Sequence, residues 1–167
     1  AGALKARMPY QTNKDLRNSI NAGMISYHDV PLGQMPVWVK NNFLKHIDVA
    51  IIEAAAIDEN GNIIPTTSVG TSNIYAEYAD KIIIEVNTYV PRCIEGIHDV
   101  YSPERPPHTQ PIPITKVSDR IGTTYIKCDP AKVVAVVESN IPDNGRTVSP
   151  VDDEFRSMAN NLIGFLH

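Results

Sequence analysis

Three segments of the chain are mostly apolar and have the length of strands. They are residues 48–54, 81–87 and 132–138, and each is rich in Val, Ile or Ala. A short, continuous apolar run is typical of a strand that is buried on both faces of a sheet. We therefore expect three buried strands at the centre of the fold.

Shorter elements are predicted around these strands. Asn60-Gly61 follows the first strand and favours a hairpin turn, after which residues 62–64 return as a short strand that stops at Pro65. Apolar spacing predicts helices over residues 15–22, 72–79 and 152–166, with Asn13 as a cap for the first. Strands that alternate with helices predict an α/β fold, with a mainly parallel sheet flanked by helices.

Two long segments are predicted to be loops. Residues 91–113 contain six prolines, which disfavour helix and remove backbone donors. We expect this loop to be ordered, with Ile112 and Ile114 buried beneath it. Residues 139–150 form a second, polar loop with a turn signal at Asp143-Asn144-Gly145.

Composition and charge argue against two classes of binding partner, nucleic acids and membranes. The chain has 167 residues, 43% of them apolar and 20% charged, which fits one ordinary globular domain. Its net charge of -4 argues against nucleic acid and against an anionic membrane surface, since both attract clustered Lys and Arg. No apolar run approaches the roughly 20 residues of a membrane span. We expect neither a nucleic acid nor a membrane partner.

The metal-ligating residue types show no ligand spacing. Cys93 and Cys128 are far apart, and the five histidines form no motif. We expect two reduced cysteines and no metal. The chain begins at Ala1 and shows no signal peptide, so we expect a processed chain or a fragment.

Several motifs, taken in order, carry a resemblance to a known family. They are Met8-Pro9-Tyr10-Gln11-Thr12-Asn13, Ile64-Pro65-Thr66-Thr67-Ser68-Val69-Gly70-Thr71-Ser72, Glu95-Gly96-Ile97-His98-Asp99, Pro111-Ile112-Pro113-Ile114 and Asp119-Arg120-Ile121-Gly122-Thr123-Thr124. With the apolar strands between them, they resemble the acetyl-CoA hydrolase/transferase family over nearly the whole chain. The resemblance implies that residues 1–167 are a single α/β domain. It would form most of the amino-terminal half of a CoA-transferase-like fold (NagB/RpiA/CoA-transferase type), without the carboxyl-terminal half.

The same resemblance implies a reaction. Members move CoA between an acyl-CoA and a small carboxylate such as acetate or succinate, and some hydrolyse acetyl-CoA. Their nucleophile is a glutamate of the second half, so we expect no catalytic residue in this chain. The resemblance implies coenzyme A as a substrate, the missing half as a partner and a homo-oligomer. It also implies a cytoplasmic location, or a mitochondrial one in a eukaryote.

Four residues are candidates for substrate binding, each with a simpler alternative. By resemblance, Thr12 lies near the substrate pocket, but its hydroxyl could equally cap the helix that follows. Arg146 could hold a carboxylate with two parallel donors, or it could be a solvated loop residue. Ser68 and Gly70 belong to a turn whose amides could bind an anion, or which simply ends a strand and caps a helix.

Three further positions are assigned structural roles. Glu59 precedes Asn60-Gly61, as the nucleophile does in a related CoA-transferase group, but a hairpin tip explains it better. Asp119 and Arg120 are predicted to pair, and His98 is predicted to make a structural hydrogen bond.

Three functions remain open from the sequence. The first is a CoA-transferase half-domain, which predicts an exposed apolar patch where the second half would dock. The second is acetyl-CoA hydrolysis by the same glutamate, which differs only in whether water is excluded. The third is an inert domain that binds CoA or another subunit, which a stable monomer with no such patch would favour.

Overall fold

The computed structural model describes residues 3–8, 13–143 and 149–166. Its helices and strands, in chain order, are β1 (Ala6–Arg7), α1 (Lys14–Asn21), β2 (Ser26–Tyr27), α2 (Met35–Lys40), β3 (Val49–Ile57), β4 (Ile63–Pro65), α3 (Ser72–Tyr78), β5 (Lys81–Asn87), β6 (Val133–Ser139) and α4 (Asp153–Phe165). Short 3-10 turns lie at Leu32–Gln34, Arg92–Ile94 and Pro130–Lys132. No helix among these residues is long and apolar enough to cross a bilayer.

The main sheet has four strands in the order β4-β3-β5-β6. Strands β3, β5 and β6 are parallel, and β4 pairs antiparallel with β3. Ile52 of β3 is in register with Ile84 of β5, and Ile84 with Val136 of β6. A parallel neighbour requires a crossover, which α3 provides between β3 and β5. The predicted α/β fold with a mainly parallel sheet is confirmed.

The hydrophobic core lies on one face of this sheet. Ile52, Ile82 and Ile84 point to that face and are at most 1% exposed. They pack with Ala76 of α3 and with Ile126 from the segment before β6. Burial of each such isoleucine side chain contributes roughly 1.5–3 kcal/mol to folding.

The opposite face of the sheet is partly open in the described residues, so the expectation of strands buried on both faces is wrong for them. Ile51 of β3 is 70% exposed, although its neighbour Ile52 is 1% exposed. Val137 of the edge strand β6, which pairs with Glu85 on this same face, is 50% exposed. A continuous apolar run shows that both faces of a strand are suited to burial. It does not show that another part of the structure packs on each face. An exposed apolar patch was predicted for a CoA-transferase half-domain, and a role of this face as a docking surface stays a prediction.

Helix α4 has the predicted amphipathic pattern. The carboxylate of Asp152 caps it by accepting a hydrogen bond from Phe155 N at 2.9 Å. Its apolar residues Phe155, Met158, Leu162 and Ile163 are each at least half exposed. Helix α1 also begins as predicted, because Asn13 Oδ1 accepts from the amides of Asp15 and Leu16.

The hairpin between β3 and β4 forms around Asp58. Asp58 Oδ1 accepts from the amides of Asn60 and Asn62, at 2.9 and 2.8 Å. Gly61 has a φ of 81°, which a residue with a side chain rarely adopts. The predicted hairpin is confirmed, and Glu59 lies exposed at its tip.

Polar side chains hold the long proline-rich loop. Lys40 Nζ donates to Ser102 Oγ at 2.7 Å and to the carbonyl of Pro103 at 2.6 Å. The expectation that Ile112 and Ile114 are buried is wrong, since they are 52% and 55% exposed. The loop is therefore held by hydrogen bonds from Lys40 to a hydroxyl and a backbone carbonyl. The apolar residues between its prolines do not predict these bonds.

Candidate functional site

The three parallel strands end at the same side of the sheet, and we call this side, where their carboxyl ends lie, the carboxyl edge. β5 ends at Asn87 and β6 at Ser139, which pair with each other in register. In open α/β sheets, ligands bind at the carboxyl ends of the strands, because the loops that follow them converge there. Four segments of this chain meet at that edge.

Asn87 is the centre of this convergence. It is 2% exposed, and its Nδ2 donates to Glu53 Oε1 at 2.7 Å and to the carbonyl of Ile141 at 2.8 Å. Its Oδ1 accepts from the amides of Ile141 and Tyr89, each at 3.1 Å. A carboxamide has two donor hydrogens and two acceptor lone pairs, so its hydrogen-bonding capacity is fully used.

Glu53 and Thr67 connect the same edge to the turn after β4. Glu53 Oε2 accepts from Thr66 Oγ1 at 3.1 Å, so one carboxylate joins β3, β5 and this turn. Thr67 Oγ1 donates to Asp143 Oδ2 at 2.5 Å. The turn after β4 and the loop after β6, which the sequence analysis singled out separately, therefore lie together.

Two of the four predicted substrate-binding residues belong to that turn. Ser68 and Gly70 are both exposed, and Gly70 has a φ of 55°. The alternative of a hydroxyl cap for α3 is not observed, because its N-cap residue Thr71 makes no side-chain capping bond. The turn is closed instead by the amide of Ser72, which donates to the carbonyl of Val69 at 3.1 Å.

The other two predicted residues, Thr12 and Arg146, lie outside the described residues. Asp143 precedes Arg146 by three positions in the sequence and is the last described residue before the range 144–148 begins. Any role of Thr12 and Arg146 in binding a substrate therefore stays a prediction.

Sequence analysis missed Glu53, Asn87 and Asp143. Glu53 interrupts the apolar run of β3, and Asn87 is the polar residue that ends β5. Polar side chains at the carboxyl ends of buried parallel strands were the signal that could have found them. Asp143 was noted only as part of a turn, because its contact with Thr67 is not local in sequence.

The predicted pair of Asp119 and Arg120 is wrong. Asp119 accepts from the amides of Thr115 and Lys116, and these bonds lower its pKa. Arg120 donates to the carbonyls of Gly96 and His98, each at 2.9 Å. Both residues order loops through the backbone.

His98 makes the structural contact that was predicted for it. It is buried, and its Nε2 lies 3.2 Å from the carbonyl of Pro65. The two cysteines are unpaired, with Cys93 exposed and Cys128 buried, and burial raises the pKa of the Cys128 thiol.

Two other features lie away from the carboxyl edge. A cavity of about 490 Å³ next to α3 is lined by Asn73, Lys127 and Lys132, and its described lining includes neither Ser68 nor Gly70. His46, Asp48 and Asp80 lie at the amino ends of β3 and β5, with ligand atoms within 4.8 Å of one another. All three are exposed, and a 2.7 Å contact of His46 with Asp80 accounts for much of their grouping. Among the described residues, neither feature shares a residue with the contacts around Asn87.

The comparison of sequences decides the family. Residues 1–138 match the sequence profile of the acetyl-CoA hydrolase/transferase N-terminal domain. The chain belongs to the acetyl-CoA hydrolase/transferase family. The expected resemblance is therefore confirmed, and the match to the family's amino-terminal domain ends one residue before the end of β6.

Relatives in this family include both transferases and hydrolases. The chain is 42% identical over 167 residues to the succinyl-CoA:acetate CoA-transferase of Clostridium kluyveri. The aligned region covers 100% of this chain and 31% of that protein. It is 42% identical over 170 residues to the acetyl-CoA hydrolase of Schizosaccharomyces pombe, covering 98% of this chain and 32% of that protein. A propanoyl-CoA:succinate CoA transferase of Escherichia coli is 37% identical over 166 residues, and the aligned region covers 99% of this chain and 34% of that protein. The chain thus spans about a third of the length of these curated relatives.

A solved structure supports the fold described above. RipA from Yersinia pestis superposes with a TM-score of 0.58 at 18% identity, covering 96% of this chain and 32% of that one. At this identity the match speaks for the fold alone.

Proposed function

We propose that this chain forms part of the amino-terminal half of an enzyme that transfers CoA between an acyl-CoA and a small carboxylate such as acetate or succinate. One observation carries the proposal beyond family membership. The turn that holds Ser68 and Gly70 meets the loop after β6 at the carboxyl edge of the sheet, through Thr67 and Asp143. That edge is where an α/β sheet of this kind receives a ligand.

In this proposal, the two loops bind the acid. The exposed turn at Ser68 and Gly70 offers backbone amides, and Arg146 follows Asp143 by three positions in the sequence. Amides and a guanidinium are the donors that a carboxylate prefers. They also offset the negative charge that Glu53 and Asp143 bring to the same edge, which would otherwise repel an anionic substrate.

The covalent chemistry falls to a glutamate outside this chain. Its carboxylate adds to the thioester carbonyl and expels the CoA thiolate, which leaves an acyl-glutamyl anhydride. The thiolate then attacks the glutamyl carbonyl, releases the first acid and forms a glutamyl-CoA thioester. The second acid repeats the two steps in reverse and leaves as its CoA thioester. Donors around each tetrahedral state stabilise the developing oxyanion.

Hydrolysis of acetyl-CoA is the second candidate, because a hydrolase and a transferase match this chain at the same 42% identity. Water would then attack the glutamyl-CoA thioester in place of the second acid. The two activities differ in how well the site excludes water when the acid is bound.

The experiment compares the chain alone with the full-length polypeptide that carries it. Each is incubated with acetyl-CoA, with and without succinate, while free thiol, succinyl-CoA and intact protein mass are followed. Succinyl-CoA formation by the full-length protein, with a CoA adduct outside residues 1–167, supports the transferase. Thiol release that does not depend on succinate supports the hydrolase. CoA binding without turnover by the full-length protein would leave only the inert binding domain.

Glu59 provides the control for this experiment. It lies exposed at the hairpin tip, where Asn60-Gly61 explains its surroundings without chemistry. We expect Glu59→Gln to leave activity unchanged. An adduct on the isolated chain that is lost in Glu59→Gln would overturn the assignment of the nucleophile to the missing part.

A further inference from the structure

The side chain of Asn87 is buried on a face of the sheet that is otherwise partly open. Residues alternate between the two faces along a strand, which places Asn87 on the face that carries Ile51 and Glu53. Those two residues are exposed, whereas Asn87 is 2% exposed. The hydrogen bonds to Ile141 show what lies over it, namely the chain that leaves β6.

Beyond the ends of β5 and β6, the side chain of Asn87 makes the hydrogen bonds that the backbone of a paired strand would make. The ladder between β5 and β6 stops at the pair of Asn87 and Ser139, beyond which the amide of Thr88 donates to the carbonyl of Ser139 at 2.8 Å. Past that point, the carboxamide of Asn87 bonds both the N–H and the C=O of Ile141, as the backbone of a neighbouring strand would. The course of the chain at Ile141 is therefore tied to a single side chain.

Two attachments then carry this segment across the edge of the sheet. Asn87 holds Ile141 above β5, and Thr67 holds Asp143 beside the turn after β4. Glu53 fixes the orientation of the Asn87 carboxamide, because its carboxylate can accept only from the amide nitrogen. With that nitrogen fixed, the Asn87 oxygen faces the amide of Ile141.

We propose that Asn87 is a positioning residue for the acid-binding part of the site. It holds residues 141–143 across the carboxyl edge, so that the loop after β6 stays against the turn of Ser68 and Gly70. The proposal rests on the proposed function for the identity of the substrate, but the hold on Ile141 stands on the hydrogen bonds alone. Asn87 acts through the loop and has no role in the bond-making steps.

The test uses the full-length polypeptide with Asn87→Ala. This change removes both bonds to Ile141, and we expect the KM for the carboxylate to rise by about tenfold, the effect of losing roughly one net hydrogen bond. The KM for the acyl-CoA should stay within about twofold of wild type, which is well below one such bond. Hydrogen exchange at the Ile141 amide should become faster in the same variant.

Thr88→Ala is the matched control. Thr88 is adjacent, exposed, and also bonds the end of β6, since its Oγ1 donates to the carbonyl of Ser139 at 3.0 Å. Its Oγ1 also accepts from Asn140 Nδ2 at 2.9 Å, so the control removes a bond to the residue before Ile141 but no described hydrogen bond to Ile141 itself. Both KM values and exchange at Ile141 should therefore remain as in wild type. A fall in melting temperature for Asn87→Ala, with wild-type KM values and wild-type exchange at Ile141, would make Asn87 purely structural and overturn the proposal.

A paired exchange of residues keeps the test valid if Asn87→Ala does not fold. In Glu53→Gln with Asn87→Asp, the new amide at 53 can donate to the new carboxylate at 87, so the link between β3 and β5 remains. The carboxylate can still accept from the Ile141 amide but can no longer donate to its carbonyl. We expect a raised carboxylate KM, and a wild-type value would contradict the proposal. The exchange measurement needs no activity, so a failure of the proposed function and a failure of the hold on Ile141 are recognised separately.

Discussion

The hydroxyl of Thr67 donates to the carboxylate of Asp143 over 2.5 Å, although 76 positions separate the two residues in the chain. This contact joins the turn after β4 to the loop after β6. Both residues are exposed, so the bond competes with water and contributes less than a buried one would. Its main consequence is geometric, because it brings the two candidate binding segments together.

The strength of this contact can be measured with a double-mutant cycle. We expect Thr67→Val and Asp143→Ala to be non-additive in the free energy of unfolding, with a coupling of about 0.5–1 kcal/mol. Urea unfolding of the two single variants and the double variant gives that coupling. The control combines Thr67→Val with Glu59→Gln, which do not touch and should be additive. Additivity of Thr67→Val and Asp143→Ala would mean that the contact does not hold the loops together in solution.

Sequence reasoning succeeded where a pattern is local. The apolar run over residues 81–87 predicted β5, which spans Lys81–Asn87, and Asn60-Gly61 predicted the hairpin. It failed for α2 (Met35–Lys40), which is short and contains a proline in its first turn, and for the burial of Ile112 and Ile114. The candidate site was found in pieces, since its turn and its loop each carry a turn signal. Their contact, and the bonds of Asn87 with Glu53 and Ile141, depend on how the strands are ordered in the sheet, which no local pattern encodes.

Gly122 is required for the packing of two loops, for a steric reason. A Cβ at this position would lie 2.0 Å from the carbonyl oxygen of Val100, which is backbone and cannot move aside cheaply. Around it, the amides of Val100 and Thr123 each donate to the other residue's carbonyl, and Asp99 accepts from the amide of Gly122 at 2.7 Å. We expect Gly122→Ala to destabilise the chain by about 3 kcal/mol or more.

The matched control for this prediction is Gly33→Ala. Gly33 has no atom within 4 Å of a Cβ built on its backbone, so we expect a change within about 0.5 kcal/mol. Denaturant unfolding of the two variants compares the same substitution with and without a clash. Equal stability of Gly122→Ala and Gly33→Ala would show that the two loops are not packed as described.

The contact of His46 with Asp80 makes stability depend on pH. The hydrogen bond and the charge of Asp80 raise the pKa of His46 above its usual 6.5. Since the folded pKa lies above the unfolded one, the pair contributes its full stability below pH 6.5 and loses it as the pH rises through the raised value. An NMR titration should show the pKa of His46 falling in Asp80→Asn.

Stability measurements provide the second check on this pair. The difference in unfolding free energy between wild type and Asp80→Asn should shrink as the pH rises through the raised pKa of His46. Because both side chains are exposed, added salt should also reduce the difference. A difference that is constant with pH would indicate that Asp80 acts without His46.

Ile51 and Ile52 are consecutive residues that face opposite sides of β3, so together they test whether the open face of the sheet is covered in a longer polypeptide. Ile52 is 1% exposed in the core and Ile51 is 70% exposed. In the isolated chain, we expect Ile52→Ala to cost about 2–5 kcal/mol and Ile51→Ala less than about 0.5 kcal/mol. Urea unfolding of both variants measures these costs directly.

The same two variants are then compared in the full-length polypeptide. Ile52→Ala should cost a similar amount there, because its surroundings are complete within this chain. Ile51→Ala should become distinctly more costly, by about 1 kcal/mol or more, if the rest of the protein packs on the open face and leaves a cavity on truncation. An unchanged small cost for Ile51→Ala would mean that this face stays in water, and the exposed patch would then not be the docking surface of a second half.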